Sequence, residues 1–186
     1  MSVIKLATPL KEEDIINLHT GQKVLLNGNI YTARDAAHKK MAALLAEGQP
    51  LPIDIVGQVI YYAGPCPTPP GKVIGSIGPT SSGRMDPYTP AMLTAGLKGM
   101  VGKGKRNDAV REACKKEKAV YFATLGGAAA LSAQCVKNAQ VVAWPELGAE
   151  AIYLLYVEDL PLIVVNDCAG GDLYEEAVCP KTTSAV

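Results

Sequence analysis

LKGMVGKGKRNDAVREACKKEKAVYFAT, residues 97–124, decides the class of fold. Lys98 to Val101 is a short apolar run of strand character. Gly102-Lys103-Gly104-Lys105-Arg106 interrupts it with glycine and charge. Asn107 to Glu117 then places Ala109, Val110, Ala113 and Cys114 on one side of a helix, and Val120 to Thr124 is again strand. Short apolar runs alternate with helical patterns along the whole chain. The sequence therefore predicts an α/β fold: a single domain over residues 1–186, with a central sheet and flanking helices.

Upstream, Ser2 to Leu6 reads as the first strand. Val24 to Leu26 and Ile30-Tyr31 flank Asn27-Gly28-Asn29, a turn signal that predicts two short strands. The clearest helix comes next. Thr32 stands as its N-cap with Asp35 in the capping-box position, and Ala37, Met41, Leu44 and Leu45 line one face. Gly48 stops this helix, and Pro50 and Pro52 prevent its continuation. Val56 to Tyr62 and Val73 to Ile77 are expected strands on either side of the Pro-rich loop Gly64 to Gly71. A short helix is expected between Pro87 and Gly96.

Downstream, Leu125-Gly126-Gly127 leads into an Ala-rich helix over about Ala128 to Lys137. Val141 to Trp144 and Leu162 to Val165 are apolar enough for central strands, and Ile152 to Val157 is also strand-like. The polar end, about residues 175–186, reads as a loose tail.

Composition narrows the function. Hydrophobic residues make up 48% of the 186, so the chain can bury a core and is not a disordered segment. Lys plus Arg and Asp plus Glu are 18 each, so no net charge draws the domain to nucleic acid or to an anionic membrane surface. Aromatics are 5%, too few for a base-stacking platform. No apolar run approaches the roughly 20 residues of a membrane helix. The start Met1-Ser2-Val3-Ile4-Lys5 lacks the features of a signal peptide. Five scattered cysteines without a C-x-x-C pair suit a reducing cytoplasm and argue against a zinc or iron–sulfur site built by this chain alone.

Three loops could carry chemistry. Thr32 to Lys39, TARDAAHK, places Arg34 at a helix start, where backbone N–H groups favour anions. The plain alternative is that Thr32 and Asp35 cap the helix and Arg34 is solvated. Gly78 to Asp86, GPTSSGRMD, sets three hydroxyls between glycines and follows them with Arg84. That donor nest suits a small carboxylate, unless Arg84 merely pairs with Asp86. Gly99 to Arg106 nearly matches a phosphate loop, but Arg106 stands where the magnesium-binding hydroxyl belongs. Lys103 is better suited there to holding an anionic substrate. His38, four residues after Arg34, either orients a neighbour or lies on the surface. Cys66, in the Pro-rich loop, is the cysteine most open to reaction.

Arg34, Arg84 and Lys103 with the hydroxyl of Thr80 make a good grip for a dicarboxylate. They make a poor catalyst by themselves, because an unactivated threonine is too weak a base at neutral pH. The rest of such a site is expected from a partner.

At these loops the sequence resembles the β subunit, or C-terminal domain, of the iron–sulfur hydro-lyases, the class I fumarase and L-tartrate dehydratase family. The resemblance rests on TARDAAHK at 32–39, IYYAGP at 60–65, GSIGPTSSGRMD at 75–86, GKG at 102–104, ELGAEAI at 146–152 and VEDLP at 157–161. It implies a swivelling β/β/α domain that closes over an α subunit carrying a 4Fe-4S cluster. It implies Thr80 as the hydroxyl that takes the C3 proton. It implies Arg34, Ser81, Ser82, Gly83, Arg84 and Lys103 as substrate contacts, with Asp35, His38 and Asp86 supporting them. Lys105 is the alternative lysine, since the stretch from Arg84 to Lys103 is slightly shorter than in the family. No metal is expected on this chain itself. The substrate is a small dicarboxylate, either malate and fumarate or tartrate. An isolated chain would be free to pair with itself as a homodimer. The reading from outside this class is a stand-alone anion- or nucleotide-binding module built on the Gly99–Lys105 loop.

Overall fold

Runs such as Val59-Ile60-Tyr61-Tyr62 and Val120-Tyr121-Phe122 are apolar at every position, which suits strands covered on both faces. A computed structural model describing residues 3–124 and 129–178 shows this arrangement. Val59, Tyr61, Val101, Val120 and Phe122 point into one core, while Ile60, Tyr62, Met100 and Tyr121 point into a second core under the helices. Each fully buried side chain of this size contributes on the order of 1.5–3 kcal/mol.

Among the described residues, seven strands form one sheet: β1 (Ile4–Ala7), β2 (Lys23–Thr32), β3 (Val59–Tyr61), β4 (Gly99–Gly102), β5 (Val120–Thr124), β6 (Val136–Ala143) and β7 (Ile152–Asn166). β1 to β5 run parallel in sequence order. β7 lies antiparallel to β5 on one side and to β2 on the other, which closes β2–β3–β4–β5–β7 into a barrel-like ring. β1 extends the ring beside β2, and β6 beside β7. The helices are α1 (Glu12–Ile15), α2 (Asp35–Ala46), α3 (Thr89–Thr94), α4 (Asp108–Glu117), α5 (Ala129–Cys135) and α6 (Leu173–Val178). Among the described residues, no helix is long and apolar enough to cross a membrane.

The β4–α4–β5 unit forms as its pattern predicts. Asn107 caps α4, its side chain accepting the Val110 N–H at 2.9 Å, and Val110 and Cys114 face the core. Several other expectations are corrected. Asn27-Gly28 is not a turn between two strands but a bulge inside one ten-residue β2. Opposite it, the two strands expected after Ile152 are one fifteen-residue β7. Asn27 and Asp159 span the irregularity: the Asp159 N–H donates to Asn27 Oδ1 at 2.9 Å, and Asn27 Nδ2 donates to the Asp159 carboxylate at 3.3 Å.

Val73 to Ile77 forms no strand, although Ile74 and Ile77 are buried beneath the loop. Val141 to Ala143 belongs to the edge strand β6 rather than a central one, and Val141 and Val142 are exposed. Glu175 to Val178, the first residues of the expected tail, lie in α6. The rest of the expected tail, from residue 179, and Leu125-Gly126-Gly127 lie outside the described residues.

Gly28 sits at φ +102°, and a Cβ there would come within 2.6 Å of Thr8 Oγ1. Gly28→Val should therefore lower stability by about 2 kcal/mol or more. The check is the urea midpoint at unchanged m-value; an unshifted midpoint would refute the bulge geometry.

Candidate active site

Parallel strands bring their carboxyl ends to one end of a sheet, where the following loops can share a ligand. β2 leads into Arg34, β3 into the long loop that ends at Thr80, and β4 into Lys103. The second loop touches both of the others. Tyr62, just after β3, accepts the Thr80 N–H at 2.7 Å. Ser81 and Lys103 form a parallel bridge, and the Lys103 carbonyl accepts the Ser82 N–H at 2.9 Å. Arg84 joins the second loop to the first: Nε donates to Asp35 Oδ1 at 2.8 Å, and Nη2 lies 2.7 Å from Oδ2.

Arg84 also donates from Nη1 to Thr80 Oγ1 at 3.3 Å. The guanidinium thus spends one N–H on Asp35 Oδ1 and one on Thr80, with Nη2 set against Oδ2 as an ion pair, which leaves N–H groups on Nη1 and Nη2 for an anion. The Arg84 side chain is 50% exposed, so those donors are accessible from solvent. A cationic donor on the Thr80 oxygen favours its alkoxide over its neutral form. Arg84 does not pair with Asp86, so the plain reading of that loop is corrected.

Arg34 is the N-cap of α2 but gives no side-chain capping bond. Thr32 is not the cap; it ends β2, fully buried, and its Oγ1 accepts the Tyr153 N–H at 3.3 Å. The open end of α2 is served from far along the chain, where Glu150 Oε2 accepts the Ala36 N–H at 2.9 Å. Glu150 Oε1 lies 3.7 Å from Arg34 Nη2. Arg34 packs against Gly64, where a Cβ would fall 3.1 Å from its Cδ and Nη1. Its Nε is buried without a hydrogen-bond partner among the described residues.

Ser81, Gly83, Lys103 and Lys105 are exposed. Ser82 is fully buried, and its oxygen accepts the Lys103 N–H at 3.1 Å and lies 3.0 Å from the Tyr121 hydroxyl. It ties the second loop to the third. Gly102 permits this, because a Cβ there would lie 1.9 Å from Ser82 Oγ.

Below the loops is a buried charge pair that sequence reading missed. Arg106 Nε donates to Asp86 Oδ1 at 2.7 Å, and Nη2 to Thr89 Oγ1 at 2.7 Å. Its guanidinium packs 5.2 Å from the Tyr62 ring centre and 5.0 Å from that of Tyr121. Asp86 Oδ2 accepts the Asn107 N–H at 2.9 Å. The one signal in the sequence was negative: Arg106 occupies the place of a phosphate-loop hydroxyl. With Gly99–Gly102 inside β4 and Arg106 buried, the Gly99–Lys105 stretch is no phosphate cradle.

His38 is fully buried rather than on the surface, edge-on to Tyr62 with ring centres 5.1 Å apart. Nδ1 lies 3.0 Å from the Arg34 carbonyl, which can only accept, so the proton sits on Nδ1; Nε2 has no partner among the described residues. Burial pushes its pKa down to about 4.

Among the described residues, no three His, Cys, Asp or Glu side chains converge on a metal position. Cys66 is exposed, Cys114 and Cys168 are buried and Cys135 is intermediate, each on a different segment. These residues do not fit an iron–sulfur cluster.

The family model described as Fumarase C-terminus matches residues 1–177. The chain belongs to that family. Among its relatives, fumarate hydratase 2 of Leishmania major is 41% identical over 160 residues, which cover 85% of this chain and 28% of that enzyme. The aerobic class I fumarate hydratase of Escherichia coli K12 is 38% identical over 187 residues, 98% of this chain and 34% of that enzyme. The L(+)-tartrate dehydratase subunit beta of the same organism is 35% identical over 176 residues, 92% of this chain and 86% of that subunit. This Fumarase C-terminus chain thus spans about a third of the length of the fumarate hydratases it matches.

Two predictions follow from the buried groups. The folded chain resists protonating His38 while the unfolded chain takes up that proton, so stability is full above pH 6.5 and falls as pH drops towards 4. The slope in that window is about 1.4 kcal/mol per pH unit. His38→Gln should flatten it in urea titrations across the window, and an unaltered slope would acquit His38. Arg106→Met strands the buried Asp86 carboxylate and should cost about 3–5 kcal/mol, read from chemical denaturation at neutral pH.

Proposed function

We propose that this domain is the β-type half of a fumarate hydratase, interconverting (S)-malate with fumarate and water. The observation that carries the reading is the Asp35–Arg84–Thr80 chain of hydrogen bonds at the carboxyl end of the parallel strands. Asp35 fixes the guanidinium plane. Arg84 offers its remaining Nη N–H groups to a substrate carboxylate and holds the Thr80 oxygen beside it. Arg34 and Lys103 supply positive charge for the second carboxylate, with the exposed Ser81 and Gly83 at the rim, while Ser82, His38 and Asp86 support the loops from beneath. Lys105, on the same loop as Lys103, is the alternative lysine.

In the dehydration direction the C3 proton passes to the Thr80 oxygen. The C–H electron pair becomes the new double bond, and the C2–O bond breaks with its pair on oxygen; the departing hydroxide becomes water by taking a proton from solvent, and Thr80 returns its own proton to solvent, which restores the starting state. Thr80 must first be held deprotonated, which the Arg84 N–H favours. A 4Fe-4S cluster on a separate α subunit, or on a preceding domain, would supply the Lewis acid for the departing hydroxyl. This chain would move against that partner as a swivelling domain. Fumarate is favoured because the fumarate hydratases are the more similar relatives. Tartrate dehydration to oxaloacetate is the second reading, favoured by the near-complete coverage of the tartrate dehydratase subunit.

The test is to co-produce the chain with a cluster-bearing α partner and assay anaerobically with malate and with tartrate. Thr80→Ala should lower kcat by about 10²–10⁴-fold with little change in KM. Arg84→Ala should abolish most of kcat/KM. Activity indifferent to both substitutions would remove the assignment, and a higher kcat/KM for tartrate would select the second reading.

A further inference from the structure

We infer that Glu150 is the positioning residue for Arg34, acting through its charge and not only as a helix cap. The inference rests on the functional reading above in taking Arg34 as a substrate contact. Glu150 reaches α2 on a 3-10 segment, Pro145–Glu150, held against that helix at two points. Lys40 Nζ donates to Glu146 Oε1 at 2.6 Å and lies 5.0 Å from the Trp144 ring centre. One turn nearer the site, the Ala36 N–H pins Glu150 Oε2.

The close packing of Gly64, where a Cβ would meet the Ala149 carbonyl at 2.3 Å, sets the segment against the end of β3. The Glu150 carboxylate is thereby fixed before it meets Arg34. Its second oxygen lies 3.7 Å from Arg34 Nη2, and the two side chains are only 26% and 29% exposed. At that distance the pull is that of an ion pair rather than of a short hydrogen bond. It orients the guanidinium while leaving its N–H groups unspent. No other carboxylate pairs with Arg34 among the described residues. Arg34 lacks the two-point carboxylate fork that fixes Arg84, so its aim depends on this one charge.

A cap and an electrostatic positioner respond differently to Glu150→Gln. The amide oxygen still accepts the Ala36 N–H but carries no charge. With the α partner and malate as substrate, Glu150→Gln should keep wild-type thermal stability and a kcat within about threefold, yet raise KM about tenfold or more. Glu150→Ala should raise KM equally and lower stability as well. Equal KM values for wild type and Glu150→Gln overturn the proposal and leave Glu150 a cap.

A second readout needs no activity. In the chain alone, with succinate as the probe, the Arg34 Nε–H resonance should shift on Glu150→Gln and lose its response to succinate, while Arg84 Nε–H keeps its own. An Arg34 resonance indifferent to the substitution overturns the proposal. If the assembled wild-type enzyme dehydrates neither malate nor tartrate, the functional reading fails, and the resonance arm alone decides the Arg34–Glu150 coupling.

Discussion

The antiparallel pairing of β2 with β7, from Lys23↔Ile163 to Thr32↔Tyr153, is the constraint on which the rest depends. Without it the parallel strands would form an open, twisted sheet with β2 and β5 apart. With it, a short ring closes around Leu26, Ile30, Phe122, Leu155 and Val164. The closed ring fixes where β2, β3 and β4 end, and hence where Arg34, Thr80 and Lys103 begin. The site residues owe their company to backbone pairing far from any of them.

A second constraint lies under the loops. Taking a guanidinium and a carboxylate out of water is costly, and their mutual attraction repays it only with good geometry and further partners. Arg106 and Asp86 have both: Thr89, Tyr62, Tyr121 and the Asn107 N–H satisfy much of the remaining capacity. The outcome is specificity of shape. Asp86 belongs to the loop that bears Arg84, and Arg106 to the loop that bears Lys103, so their bond sets one cationic loop against the other. Ser82, also buried, repeats the tie through Tyr121 and the Lys103 backbone.

What could be read from the sequence follows how local each cause is. α4 shows its cap, its apolar face and its flanking strands within a few residues, and it folds as its pattern says. α2 shows its face but not its cap, because the group serving its first turn is Glu150, distant in sequence. Asn27-Gly28 carries the chemistry of a turn, yet the β7 backbone and Asp159 hold it in a strand. Val73 to Ile77 has strand composition, but its backbone partners belong to a loop: the Ser76 carbonyl accepts from Cys66 and the Ala129 carbonyl from Ile77. The cations at the site were visible as residue types on loops. Their pairing with particular carboxylates was not, since each ion pair joins segments whose proximity only the closed sheet creates.

The Arg84 guanidinium is flat, braced along one edge by Asp35, and bonded to Thr80 from a terminal nitrogen. Every N–H it has left lies in that same plane. A carboxylate that meets those donors with both oxygens must lie in the plane as well, so the clamp on this one side chain fixes the tilt of any such group at the rim.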